Sequence, residues 1–253
     1  MLGKRIMVDT SKCIGCRACQ VACQQWHSLE AEDTTFTGIY TNPPDVSGAN
    51  LTVAKFIEKE EADGKLKWLF FKDQCRHCEY PNCKSSCPRG AIKRKANGAV
   101  YIKLDLCDPL ACTSLPYPAL RPCQSGCPYK ISGDGLGIPR WKYEKDGVLT
   151  GEKMKKCDFC YNRLSSLELK SPPFVSADGK TKSALPACQV TCPPGAITSG
   201  AAEGMLKKAN ARVTYLKANG HPNANVYPSQ SGIPTHIVWV LTEAPSVYGL
   251  PIV

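Results

Sequence analysis

Three strand-like runs each lead into a cysteine-rich stretch: KRIMVDT before Cys13, KWLFFKDQ before Cys75, and GAVYIKLDL before Cys107. The last alternates apolar and polar residues after the turn signal ANG, as a half-buried strand does. A different period follows Thr198. In AAEGMLKKANARVTYLKANG, Met205, Ala209, Val213 and Leu216 recur near helical spacing, and Gly220 supplies a C-terminal stop. This predicts a helix whose apolar stripe packs on the core. The longest apolar run, HIVWVLTEAPSVYGLPIV, is broken by Thr242, Glu243 and two prolines, so no stretch predicts a membrane span. Nor is there an N-terminal run of signal-peptide type.

Between these runs lie two segments of another character. Residues Phe36 to Gly64 lack cysteine, contain YTNPPDVSGAN, and predict an insertion carrying its own loop. SPPFVSADGKTKS, Ser171 to Ser183, predicts a flexible turn region.

The chain of 253 residues holds sixteen cysteines, too many for an ordinary enzyme in a chain too large to need disulfide staples. They fall into four groups of four with none left over: Cys13, Cys16, Cys19, Cys23; Cys75, Cys78, Cys83, Cys87; Cys107, Cys112, Cys123, Cys127; and Cys157, Cys160, Cys188, Cys192. The first reads C-x2-C-x2-C-x3-C. In that spacing a short loop wraps three thiolates around one cubic iron–sulfur core, while the fourth reaches a neighbouring core. Four cysteines within eleven residues leave little room to close a tetrahedral zinc site.

The second group reads C-x2-C-x4-C-x3-C-P, with two extra residues before its third ligand. The fourth is split by twenty-seven residues between Cys160 and Cys188, a spacing that zinc could also use, but its CPPGAI echoes CPRGAI of the second group and marks an internal repeat. The third is irregular: TSLPYPALRP separates Cys112 from Cys123. An enlarged loop with a full ligand set fits it best; the alternative is that Cys107 or Cys112 is a plain buried thiol and the site holds a three-iron core or nothing. A strand, a ligand loop, a short helix carrying the last cysteine and a return strand at GAI describe half of a bacterial two-cluster ferredoxin. Four groups therefore predict two such units.

Charge changes with this reading. The formal +10 would suggest nucleic acid or an anionic membrane. Each oxidised four-iron core on four thiolates is a dianion, so four of them bring the chain to about +2. Lys93, Arg94 and Lys95, and Lys153, Lys155 and Lys156, flank cysteine groups and predict internal compensation; a solvated charged face is the alternative. His27, His77, His221 and His236 form no ligand pattern, and Trp26 and His27 are expected to pack beside a cluster. No G-x-S-x-G, H-E-x-x-H, P-loop or G-x-G-x-x-G is present, so the chain carries no catalytic residue of those kinds.

In its four-group order and in QCRHCEYPNCKSSCPRGAI, KCDFCYNRL and LPACQVTCPPGAI, the chain resembles the iron–sulfur subunits of the molybdopterin oxidoreductases, the dimethyl sulfoxide reductase superfamily, over Lys4 to Ser199. YTNPPDVS, QCRHC and KWLFFKDQC are most similar to the beta subunits of formate dehydrogenases. The resemblance implies an α+β fold of two ferredoxin-like units, one inserted in the other: residues 1–65 with 148–200 as the first, 66–147 as the second, and 201–253 as a C-terminal helix and extension. It implies four [4Fe-4S] clusters with crossed ligation. One takes Cys13, Cys16, Cys19 and Cys192; its neighbour takes Cys157, Cys160, Cys188 and Cys23. The second unit holds Cys75, Cys78, Cys83 with Cys127, and Cys107, Cys112, Cys123 with Cys87.

The function so implied is electron relay between a molybdenum- or tungsten-pterin catalytic subunit, oxidising formate or reducing CO2, and a downstream cytochrome, ferredoxin or other redox subunit. The first alternative is the same wire serving a sulfoxide, polysulfide, oxyanion or aldehyde enzyme; the remote one is a zinc-ribbon module on nucleic acid. No transmembrane segment of its own is expected. Export to the periplasm with the catalytic partner is favoured over a cytoplasmic location.

Overall fold

The structure is a computed structural model that describes residues 3–36, 38–112, 121–129, 137–140, 153–164 and 185–252. The turn region at Ser171 to Ser183 and the unit boundary at 147/148 lie outside those residues.

Strand β1 (Lys4–Asp9) leads into the first cysteine loop and helix α1 (Ala18–Trp26). A nine-pair antiparallel hairpin follows, β2 (Thr52–Glu60) against β3 (Leu66–Gln74), in register from Thr52 opposite Gln74 to Glu60 opposite Leu66. The second half of the predicted loop insertion is therefore a strand. It pairs because Val53, with Leu51 just before it, joins Leu69 and Phe71 in the buried core. Along β3, exposure falls toward the end that enters the second cysteine group, until Lys72, Asp73 and Gln74 are polar yet buried.

The second group runs through α2 (Asn82–Ser85) into the small hairpin of β4 (Ile92–Arg94) and β5 (Val100–Ile102). Then come α3 (Pro122–Ser125), α4 (Tyr161–Leu164) and α5 (Ala187–Val190). Return strands do start at the GAI echoes, β4 at Ile92 and β6 (Ile197–Ala201) at Ile197. The predicted placement of the last cysteine is different. Cys87, Cys127 and Cys192 each lie just beyond a short helix, because each precedes a proline, and the residue before proline is driven out of helical geometry. In the first group Gln24 follows Cys23, so α1 runs on and carries both Cys19 and Cys23.

The predicted long helix is α6 (Ala202–Ala218), with Ala209 and Leu216 buried and Val213 packed beside them. The chain closes with β7 (Asn225–Tyr227), β8 (Ile237–Leu241) and a 3-10 turn at Pro245–Tyr248. The main sheet has the order β6-β1-β8-β7: β1 is antiparallel to β6 and parallel to β8, and β7 is antiparallel to β8. β8 reads IVWVL without alternation because both of its faces are covered. Ile237, Trp239 and Leu241 face the cysteine-rich core, and Val238 and Val240 pack with Met7 against α6. The indole Nε1 of Trp239 donates to Lys72 O at 2.9 Å, tying the sheet to β3. Among the described residues no helix is long and apolar enough to cross a membrane.

Candidate metal centres

The sixteen thiols gather in four sets that cross the sequence groups. Burial pushes the Cys13 thiol above its ordinary value, the Gly15 N–H draws it down, and the nearby Cys192 and Cys16 push it up again. Cys19 is pushed up to about 12 by burial against the pull of Lys72, with Cys188, Cys13 and Cys192 adding to the rise. Cys192 thus stands beside Cys13 and Cys19, although the β2–β3 hairpin, the whole of the second and third groups and α5 intervene. Cys16 is exposed, so this set reaches the surface.

Cys160 is pushed well above its ordinary value by burial, then by Cys188, Asp158, Cys23 and Cys157. Cys23 is raised in the same way, by burial and then by Cys157, against the pull of Lys72. A third set, Cys75, Cys78, Cys83 and Cys127, lines one hollow together with Arg76, Tyr129 and Lys156. The fourth, Cys87, Cys107, Cys112 and Cys123, lines another with Ala91, Ile92, Ile102 and Met154. Both thiols of the irregular group whose role the spacing left open, Cys107 and Cys112, line this hollow.

The sets also lie within electrostatic reach of one another in order. Cys19 is near Cys188, Cys157 is near Cys75, and Cys83 is near Cys123. The path therefore runs from the Cys13 set through the Cys157 set and the Cys75 set to the Cys107 set.

Two buried lysines stand at the joints. Burial would lower the Lys72 ammonium, but Cys188, Cys19, Cys157 and Cys23 outweigh it and hold Lys72 above its ordinary value. Its Nζ donates to Thr52 Oγ1 at 2.9 Å and also to Gln74 Oε1. Lys156 is held up in the same way, against burial, by Cys75, Cys83 and Cys157, and donates to Cys157 O at 2.9 Å. Asp73 does not take the Lys72 charge: it is paired with Arg76 and, at 3.1 Å, with Lys55. The charges predicted from KMKKC are partly of this kind, since Lys153 also draws down Cys107. Two of the three charges of KRK find other partners. Arg94 pairs with Glu79, and Lys95 lies over the Tyr161 ring, 4.3 Å from its centroid.

This donor set fits a thiophilic metal group. Buried thiols at such mutual repulsion ionise only when a cation neutralises them, and a bound metal deprotonates a coordinating thiol outright. Backbone N–H groups already point at sulfur: Ala91 at Cys87 (3.3 Å), His77 at Cys75 (3.5 Å) and Phe159 at Cys157 (3.5 Å).

The sequence reading placed no role on Lys72 or His77. Lys72 opens the polar run Lys72, Asp73, Gln74 at the end of a strand-like segment, just before the second cysteine group, the one sign that could have singled it out. His77 is fully buried, and burial first, then Lys156, His236 and Lys72, keep its imidazole well below its ordinary value and so neutral. Trp26 packs beside Ala22, Cys160 and Ala187, and His27 faces Asp158 at 3.3 Å, with the ligand atoms of His27, Asp158 and Cys160 within 4.8 Å of one another.

The family described as 4Fe-4S dicluster domain matches residues 66–171, and the 4Fe-4S binding domain matches residues 4–25. The chain is 39% identical over 249 residues to the iron–sulfur subunit of the nitrate-inducible formate dehydrogenase of Escherichia coli (strain K12), covering 97% of this chain and 71% of that one. It is 34% identical over 221 residues to the formate dehydrogenase subunit beta of Megalodesulfovibrio gigas, covering 86% and 85%. With the formate dehydrogenase 2 subunit beta (cytochrome c-553) of Nitratidesulfovibrio vulgaris it shares 30% identity over 249 residues, 97% and 96% of the two chains.

Proposed function

We propose, for a chain that belongs to the iron–sulfur subunits of formate dehydrogenases and relays electrons, that it does so through four [4Fe-4S] clusters in crossed quartets: Cys13, Cys16, Cys19, Cys192; Cys23, Cys157, Cys160, Cys188; Cys75, Cys78, Cys83, Cys127; and Cys87, Cys107, Cys112, Cys123. The observation that carries the reading is the crossing itself. Cys192 of the fourth group keeps company with the first, and Cys23 of the first with the fourth. The nesting of one ferredoxin-like unit in the other is supported by the pairing of β1 with β6 around everything between them.

When bound, the clusters supply one-electron steps at sulfur-ligated iron, with potentials tuned by charge, hydrogen bonds to sulfur and burial. The protein's share is electrostatic. Lys72 and Lys156 hold positive charge where reduction adds negative charge, in a core from which Phe71, Phe159 and Trp239 exclude water. The partner is a molybdenum- or tungsten-pterin subunit that oxidises formate to CO2 or runs the reverse. Because the name of one relative carries cytochrome c-553, a cytochrome is the favoured downstream carrier.

The test is Cys192→Ser in the complete complex. Loss or conversion of the cluster bound by Cys13, Cys16 and Cys19, seen by EPR, is the expected outcome; damage confined to the Cys157 and Cys160 cluster would refute the crossing. Iron and labile sulfide at four each per quartet in the unaltered chain support four full clusters. An iron content of about twelve that Cys107→Ser with Cys112→Ser leaves unchanged would mean three clusters.

A further inference from the structure

His77 lies where the two middle quartets meet. The backbone N–H of Val100 donates to its Nδ1 at 3.0 Å, so Nδ1 carries a lone pair and the ring proton of the neutral imidazole is on Nε2. That Nε2 is 3.4 Å from Cys157 Sγ. The backbone N–H of the same residue is 3.5 Å from Cys75 Sγ. The residue is fixed at each of its polar groups: its carbonyl accepts from His236 N at 2.9 Å, and its ring packs against Phe159 with centroids 4.9 Å apart. Its φ is +50°, a left-handed turn that aims the backbone N–H at one sulfur and the ring at the other.

We propose that His77 is a positioning residue for electron transfer across this joint: its Nε2–H donates to Cys157 Sγ of one cluster while its backbone N–H donates to Cys75 Sγ of the next. It sets the potential of the Cys157-bound cluster and fixes the separation of the two. A hydrogen bond to a ligand sulfur draws off negative charge and so favours the reduced form. This rests on the ligation proposed above for Cys157 and Cys75. The ring's contribution falls on the first of these clusters, because the contact to the second is made by the backbone and survives substitution.

Anaerobic redox titration of the holo complex, followed by EPR, tests this with His77→Leu and His77→Gln, the Cys157-bound cluster being assigned by the signal that Cys160→Ser displaces. In His77→Leu the one-electron reduction equilibrium of that cluster is expected to fall about tenfold, about 59 mV to the negative side, with the Cys75-bound cluster moving less. His77→Gln, which restores a side-chain N–H, is expected to recover part of the shift, which a merely space-filling role would not produce. A His77→Leu complex with its full iron content and unmoved potentials overturns the proposal. If His77→Leu fails to assemble, 15N-histidine labelling in a His27→Gln background decides. A histidine 15N coupling on a reduced cluster is then expected, and its absence overturns the proposal. Failure of the ligation itself shows differently, as a signal displaced by Cys160→Ser that Cys157→Ser leaves in place.

Discussion

Gly15 illustrates how a single residue shapes a ligand loop. It adopts φ +67° between Cys13 and Cys16, and a Cβ there would stand 2.8 Å from the Phe70 ring and 2.9 Å from that of Phe56. Gly15→Ala is expected to cost about 1–2 kcal/mol in backbone strain alone and to deplete the Cys13 quartet selectively, read as loss of its EPR signal with the others retained. Lys72 acts on two quartets at once, since it is near Cys19 and Cys13 on one side and Cys23 and Cys157 on the other. Lys72→Gln is expected to move the potentials of both clusters negative in a redox titration, each by about tenfold in its equilibrium or more; a shift in neither would show that its charge is neutralised elsewhere. The cysteines were legible in the sequence because ligation imposes spacing on them. Lys72 and His77 were not, because their partners come from distant segments, such as Val100 and Cys157 for His77.

Among the elements, local chemistry and tertiary cover divide the credit. The helix α6 was readable from its stripe, and its packing gives a plain test. Leu216 is buried with Ala209, Val238 and Val240, so Leu216→Ala is expected to lower stability by about 2–4 kcal/mol in denaturant unfolding of the holo chain. An unchanged midpoint would mean that α6 is not held by this seam. The strand β8 was visible only as an apolar run, since a two-face-buried strand has no period to read. β2 was hidden in a segment that begins with loop residues, and its pairing partner β3 supplied the order. The proline after Cys87, Cys127 and Cys192 was in view throughout, yet its consequence for the helix ends follows only from the backbone preference of the residue before it.

At the scale of the whole molecule, the four thiol sets follow one another in order, with Cys19 to Cys188, Cys157 to Cys75 and Cys83 to Cys123 as the joints. Two of those joints hold buried cations or a neutral histidine: Lys72 at the first, and Lys156 with His77 at the second. The excess of basic residues is thereby drawn inward in part, where dianionic groups make it useful, and the formal +10 does not require an acidic macromolecular partner. Two ferredoxin-like units are what the repeats predict; the joints between the thiol sets were not legible, because they are built by single side chains such as Lys72, His77 and Lys156. The most direct measurement is anaerobic: add formate to the complex with an active catalytic subunit and follow the iron–sulfur absorption, with dithionite defining full reduction. Bleaching by formate that approaches the dithionite level is the expected result. Bleaching by dithionite alone would contradict formate as the electron source of this chain.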